Sequence, residues 1–283
     1  MSRSSKLQYY FAKGLFYFLK PLGDYELNKV AKKYLETLAE ITDTPKWATK
    51  NVRMRFTLDT HIGISRELIK RVRNWEGLRD YINSGNVQEY EISVFYHIIT
   101  DAPIHTHVAH EVGHATRLNI CARYDIEDPA EIAEFFGKAG EIILESVFPE
   151  VEPIPLEKHK ESLKELEETL EKLEKVKNLL EPEIRNSRSI DFDRYKKIYE
   201  EIISPAKLPG SEIINPRRLK KFEENEIEKI LVNYLHSVLI STTVDMAQEN
   251  GRIVAMEKAD KILENLDGFY SQSPEEIKKK FFS

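Results

Sequence analysis

The chain has 283 residues, of which 41% are hydrophobic and 32% charged, with a formal net charge of −6. Such a composition buries a core beneath a charged surface and excludes wholesale disorder. The acidic balance, with no basic stretch interleaved with aromatics, leaves a nucleic-acid partner without an electrostatic footprint. Cys121 is the single cysteine, so no internal disulfide and no thiolate zinc cluster can form. Any metal must be held by histidine and carboxylate, and the cysteine usage fits a reducing, cytoplasmic setting. No stretch reaches the roughly 18 uncharged apolar residues expected of a membrane-spanning helix.

Residues 7–22 read LQYYFAKGLFYFLKPL, aromatic-rich, with Lys6, Lys13 and Lys20 spaced through them. Lys13 interrupts what would be the apolar core of a signal peptide. Two readings stand: a helix packed on the body, or a helix in weak contact with a membrane surface, aromatics dipping in and lysines at the headgroups. From Tyr25 to Ile41, the residues Leu27, Val30, Ala31, Tyr34, Leu35 and Leu38 share a helical face. Val52 to Leu58 alternates apolar and polar, which predicts a half-exposed strand. A helix from about Ser65 to Ile82 follows, closed by Ser84-Gly85-Asn86. The β-rich run Ile92 to Ile99 predicts a second strand. Asp101-Ala102-Pro103 ends it and starts a helix running to about Tyr124. Asp128-Pro129 caps another, Ala130 to Val147.

The three prolines between Pro149 and Leu156 read as a linker. In the charged helix Lys158 to Leu180, the residues Leu163, Leu166, Leu170 and Leu173 fall at alternating three- and four-residue steps, the seam of a short coiled coil. It reads either as a solvated helix packing one stripe on the body or as an arm that binds a partner or a second copy. A helix near Asp191 to Ile203 and a Pro/Gly loop lead to a long apolar helix, Glu224 to Glu249. Asn250-Gly251 predicts a break before a last helix, Arg252 to Leu266. The expected fold class is α+β, mainly α-helical, with a small antiparallel sheet near the front and a charged coiled-coil-like arm. Its expected parts are residues 1–150 (N-terminal helices, sheet and metal-site helices), 151–190 (linker and arm) and 191–283 (C-terminal helical region).

Residues 108–115 read Val-Ala-His-Glu-Val-Gly-His-Ala. Two histidines four apart on a helix project from one face about a turn apart, so His110 and His114 can reach one tetrahedral ion at ~2.0–2.1 Å. Glu111 is offset around the helix, placed to hydrogen-bond a water on the metal without ligating the ion. Such a water has its pKa lowered toward neutrality, and Glu111 can take its proton and pass it to a leaving amine. The small and apolar flanks Val108, Ala109, Val112 and Ala115 suit a buried helix, and Gly113 leaves room for close approach.

The VAHEVGHA segment resembles the zinc-binding helix of the zincin metallopeptidases, a resemblance confined to this helix and the one after it. It implies a zincin-like core, a Zn2+ cofactor held by His110 and His114, Glu111 as general base, and a peptide or protein substrate. A third histidine six residues after the second is absent, since position 120 is Ile. The resemblance therefore implies a carboxylate third ligand from the following helix. Glu131, at the edge of the apolar stripe of Ile132, Phe135, Phe136, Ala139, Ile142 and Ile143, is favoured. Glu134 is the alternative, falling with Lys138, Glu141 and Glu145 on the side read as wet. His107 completes an i, i+3, i+7 series and reads as a surface histidine or one supporting a ligand; His236 reads as a core histidine.

Two rival readings make the motif coincidental. One is a non-enzymatic helical scaffold. The other rests on Arg252 to Ala259, RIVAMEKA, which faintly resembles the C-terminal shaft helix of the rotary ATP synthase gamma subunit.

Overall fold

The computed structural model describes residues 3–58, 63–93, 103–186, 192–206 and 208–283, and it is 72% helical with one small sheet. Helix α1 (Arg3–Ile41) buries the expected face, with Leu27, Ala31, Tyr34, Leu35 and Leu38 inside. Strand β1 (Val52–Thr57) follows, then the short β2 (Gly63–Ile64). The single helix expected over Ser65 to Ile82 is two, α2 (Arg66–Val72) and α3 (Trp75–Asn83). Arg73 breaks the run with a positive φ of 64°, and the Asn74 side chain caps α3 by accepting from the Gly77 N–H.

Strand β3 (Gln88–Ser93) starts earlier than expected, and the rest of the predicted strand, residues 94–99, lies outside the described residues. The sheet is mixed, in the order β1-β3-β2. This corrects the antiparallel expectation: β1 pairs with β3 in parallel, Val52 opposite Gln88, and only β2 runs antiparallel to β3. The cause is the connection. Two helices between β1 and β3 form a crossover that returns the chain in its original direction.

Helices α4 (Ile104–Tyr124) and α5 (Ala130–Glu145) pack against each other at the centre of the first compact unit, residues 1–156 with 251–283. Its core joins Leu38, Met54, Val112, Ile132 and Ile143 to an aromatic group of Phe135, Phe136, Phe269, Tyr270 and Phe281. The chain is thus divided differently from the three consecutive parts read from the sequence: the last 33 residues close the N-terminal unit. They do so through α8 (Glu224–Glu257) beyond its Gly251, α9 (Ala259–Leu263) and α10 (Pro274–Phe281). No break occurs at Asn250-Gly251. The helix runs through it and ends at Lys258.

The second unit, residues 157–250, holds most of α6 (Leu156–Asn186), the helix α7 (Phe192–Ile198) and the first part of α8. Its core includes Leu173, Val176, Leu180, Tyr195, Ile203, Leu231 and Tyr234. The leucine seam of α6 is used internally at its C-terminal end, where Leu173 is fully buried, while Leu163, Leu166 and Leu170 are half-buried. His236, expected in a core, is exposed on α8. Glu226–Glu257 is by length and composition apolar enough to cross a membrane, although charged residues interrupt it.

Candidate metal centre

The centre is built where α4 crosses α5. Glycine makes that crossing close: a Cβ on Gly113 would lie 2.6 Å from the Phe136 carbonyl oxygen, and one on Gly140 would lie 2.9 Å from the Ala109 carbonyl oxygen. Gly137 sits directly opposite the histidines. A Cβ there would meet His114 Nε2 at 2.6 Å and His110 Nε2 at 2.9 Å. The missing side chain is therefore the space into which both imidazoles project.

Three groups converge there. His114 Nε2 and His110 Nε2 are 3.0 Å apart, His110 Nε2 lies 3.2 Å from Glu134 Oε2, and His114 Nε2 lies 3.6 Å from Glu134 Oε1. An ion bound tetrahedrally at ~2.0–2.1 Å sets donor–donor edges of roughly 3.3 Å, so the observed separations bracket the size of a zinc cage. His110, His114 and Glu134 form a group able to hold a metal.

The surroundings prepare these donors. Glu141 Oε1 takes the Nδ1 side of His110 at 2.7 Å. An ionised carboxylate only accepts, so Nδ1 carries the proton and Nε2 is the nitrogen left to face the centre. Lys138 Nζ pairs with the other Glu141 oxygen at 2.7 Å, neutralising it inside the protein. Burial works to raise Glu141, but Lys138 and His110 together pull it down to about 2. Glu134 is likewise held well below the carboxylate range: burial opposes this, and the charge of His114, the bonds from both histidines and Arg252 prevail. Burial alone would lower His110, yet its bonds to Glu134 and Glu141 raise it to about 9. The buried carboxylates beside two histidines give the site an electrostatic preference for a cation.

Arg252 reaches the same carboxylate, Nε and Nη2 lying 2.9 and 2.8 Å from Glu134 Oε2. Gly251 permits this, because a Cβ there would fall 2.1 Å from the Glu131 carbonyl oxygen. At this end the segment Arg252 to Ala259 packs closely against α5.

Of the residues expected at the site, His110 and His114 are together as anticipated. Glu131 is not with them: its carboxylate pairs with Lys278 Nζ at 2.6 Å, on the outer side of α5. Glu134 takes the place expected of Glu131. The line Glu134, Lys138 and Glu141, read as wet, is buried, and only Glu145 of that group is exposed. The α5 helix buries two faces, an apolar one in the core and a polar one against α4. Glu111 is buried beside β3, where its charge adds to burial in raising the Tyr90 phenol. His107 is buried rather than superficial. Sequence reasoning missed Glu141, Lys138 and Arg252. The signal for the first two was the glycine at position 137 set between carboxylates three before and four after it.

No protein-family model matches the chain, and no curated protein or solved structure is similar to it.

Proposed function

We propose that this chain is a zinc-dependent metallopeptidase with a zincin-like core, in which His110, His114 and Glu134 hold the metal and Glu111 is the general base. The observation that carries the reading is the set of donor separations, 3.0, 3.2 and 3.6 Å, around the space left by Gly137. Two neutral donors and one carboxylate suit Zn2+, and the Glu141–His110 hydrogen bond is the support that zinc histidines ordinarily have. Bound zinc would supply a Lewis acid and bring a coordinated water toward neutral pKa. Glu111 is the carboxylate of the motif that does not join the donor set, which leaves it to accept a proton and return it to the leaving amine. His110 and His114 retain side-chain exposures of 13% and 20%, so neither imidazole is fully enclosed.

The test is metal content by elemental mass spectrometry, followed by a peptide-library cleavage screen. About one zinc per chain is expected, lost in the His110→Ala/His114→Ala variant. Glu111→Gln should keep the metal and lose hydrolysis. A chain that takes up no zinc even when the ion is supplied, or a Glu111→Gln variant as active as the parent, overturns the assignment.

A further inference from the structure

Helix α1 changes its apolar side part-way along. From Leu27 on, its large apolar residues face the core: Leu27, Ala31, Tyr34, Leu35 and Leu38 are all buried. Before that point the side toward the body is polar. Lys20 pairs with Asp24, Asp24 Oδ1 accepts from the Phe56 N–H at 2.8 Å, and the Asn28 side chain bonds both the N–H and the carbonyl of Met54. The opposite line carries Phe18, Leu22 and Tyr25, exposed by 80, 66 and 66% and spaced by four and three residues. Tyr17 and Leu19 flank it, exposed by 57 and 49%. In the sequence, the same spacing extends backward through Leu15, Phe11 and Leu7. A soluble helix would place charges there, and further along the same line this one does, with Lys29, Lys32, Lys33 and Glu36.

We propose that the outward face of α1 around Phe18, Leu22 and Tyr25 docks on an anionic lipid bilayer, lying in its interface. Charge selects this occupant. Residues 1–23 contain Arg3, Lys6, Lys13 and Lys20 and no carboxylate, in a chain whose net charge is −6. Lys20 is paired with Asp24, and the other three cations, Arg3, Lys6 and Lys13, repel a second copy of the same segment but are drawn to acidic headgroups. In the sequence, Lys6 and Lys13 stand seven residues apart and off the apolar line, which is the division an interfacial helix makes between acyl chains and headgroups. Lys29, Lys32 and Lys33 follow directly where the apolar line ends and mark where the helix leaves the interface. Aromatic side chains are the type that settles at that depth.

The experiment is sedimentation of the full chain with vesicles of phosphatidylserine and phosphatidylcholine mixed roughly 3:7, and with phosphatidylcholine alone. The chain should pellet with the mixed vesicles, less with the neutral ones, and less again as salt is raised. Phe18→Glu/Leu22→Glu should weaken this binding by about tenfold or more while leaving the melting temperature unchanged, since both side chains are exposed. Phe18→Trp should show a blue-shifted emission on the mixed vesicles. Failure to pellet with either vesicle overturns the proposal, as does binding indifferent to the double glutamate variant. A dimer that this variant dissolves, in a chain that ignores vesicles, would assign the face to a second copy instead.

Discussion

Glu141 joins two side chains, accepting from His110 Nδ1 through one oxygen and from Lys138 Nζ through the other, each at 2.7 Å. The carboxylate thereby turns His110 so that Nε2 faces His114 and Glu134. Glu141→Gln keeps the shape and removes the charge. Zinc affinity, measured by competition with a chelator, should fall by roughly 10–100-fold. The fold should also lose about 1–3 kcal/mol, because Lys138 is left buried without its counter-charge. Adding Lys138→Met should restore much of the stability and none of the affinity. Equal recovery of both would mean that Glu141 serves the fold alone.

The glycines of the α4–α5 crossing should separate metal binding from folding. In Gly137→Ala, the new methyl meets the ends of two histidine side chains, which can swing away. The melting temperature should therefore change little, and zinc should be lost. In Gly113→Ala the methyl meets the Phe136 carbonyl oxygen at 2.6 Å, and backbone has no such freedom. That variant should lose about 1–3 kcal/mol of stability as the helices are forced apart. Thermal melts with metal analysis on both variants check the contrast, and zinc retained by Gly137→Ala would remove the centre from this place.

Glu134 and Glu131 stand one helical turn apart, yet their carboxylates have different partners: His110, His114 and Arg252 for Glu134, and Lys278 for Glu131. Glu134→Gln should lower zinc occupancy sharply and leave Arg252 without the carboxylate it holds. Glu131→Gln should cost no zinc and little stability, about 0–1 kcal/mol, because its partner Lys278 is half exposed. The reverse pattern of zinc loss would restore Glu131 as the ligand.

These two residues also show how far the sequence could be read. His110, Glu111 and His114 were legible because a helix places residues four apart on one face whatever surrounds it. The core stripe of α5 was legible for the same reason. The place of Glu134 was not, since hydrophobic periodicity marks one buried face and α5 buries two. Lys138 and Glu141 are buried because they satisfy each other and His110, and Glu134 because His110, His114 and Arg252 satisfy it, which no periodicity of hydrophobicity records. The sheet failed on another ground: the strand β1 was recognised by alternation, but its direction relative to β3 depends on the crossover between them. Gly251, read as a breaker, is a contact residue, since a glycine inside a helix signals either one and only the neighbouring helix decides.

Arg117 offers the sharpest test of how the C-terminal segment is held. Its side chain is 2% exposed and stacks 4.3 Å from the centre of the Phe136 ring. Nε and Nη2 form a fork on the two Asp128 oxygens at 2.7 and 2.8 Å, and Nη1 donates to the carbonyls of Tyr270 and Gln272, each at 2.7 Å. Arg117→Met abandons a nearly buried carboxylate and two carbonyls together, so unfolding in denaturant should show a loss of about 3–5 kcal/mol. Arg117→Lys should recover little, because one ammonium cannot reproduce a planar fork and two further donors. Arg117→Met/Asp128→Asn should be more stable than Arg117→Met alone, as the abandoned charge is gone. Tyr270 packs on Phe136, beside Gly137, so loosening this segment should also lower zinc affinity even though Arg117 touches no ligand. An Arg117→Met chain within about 0.5 kcal/mol of the parent would show the buried arginine to be dispensable for that closure.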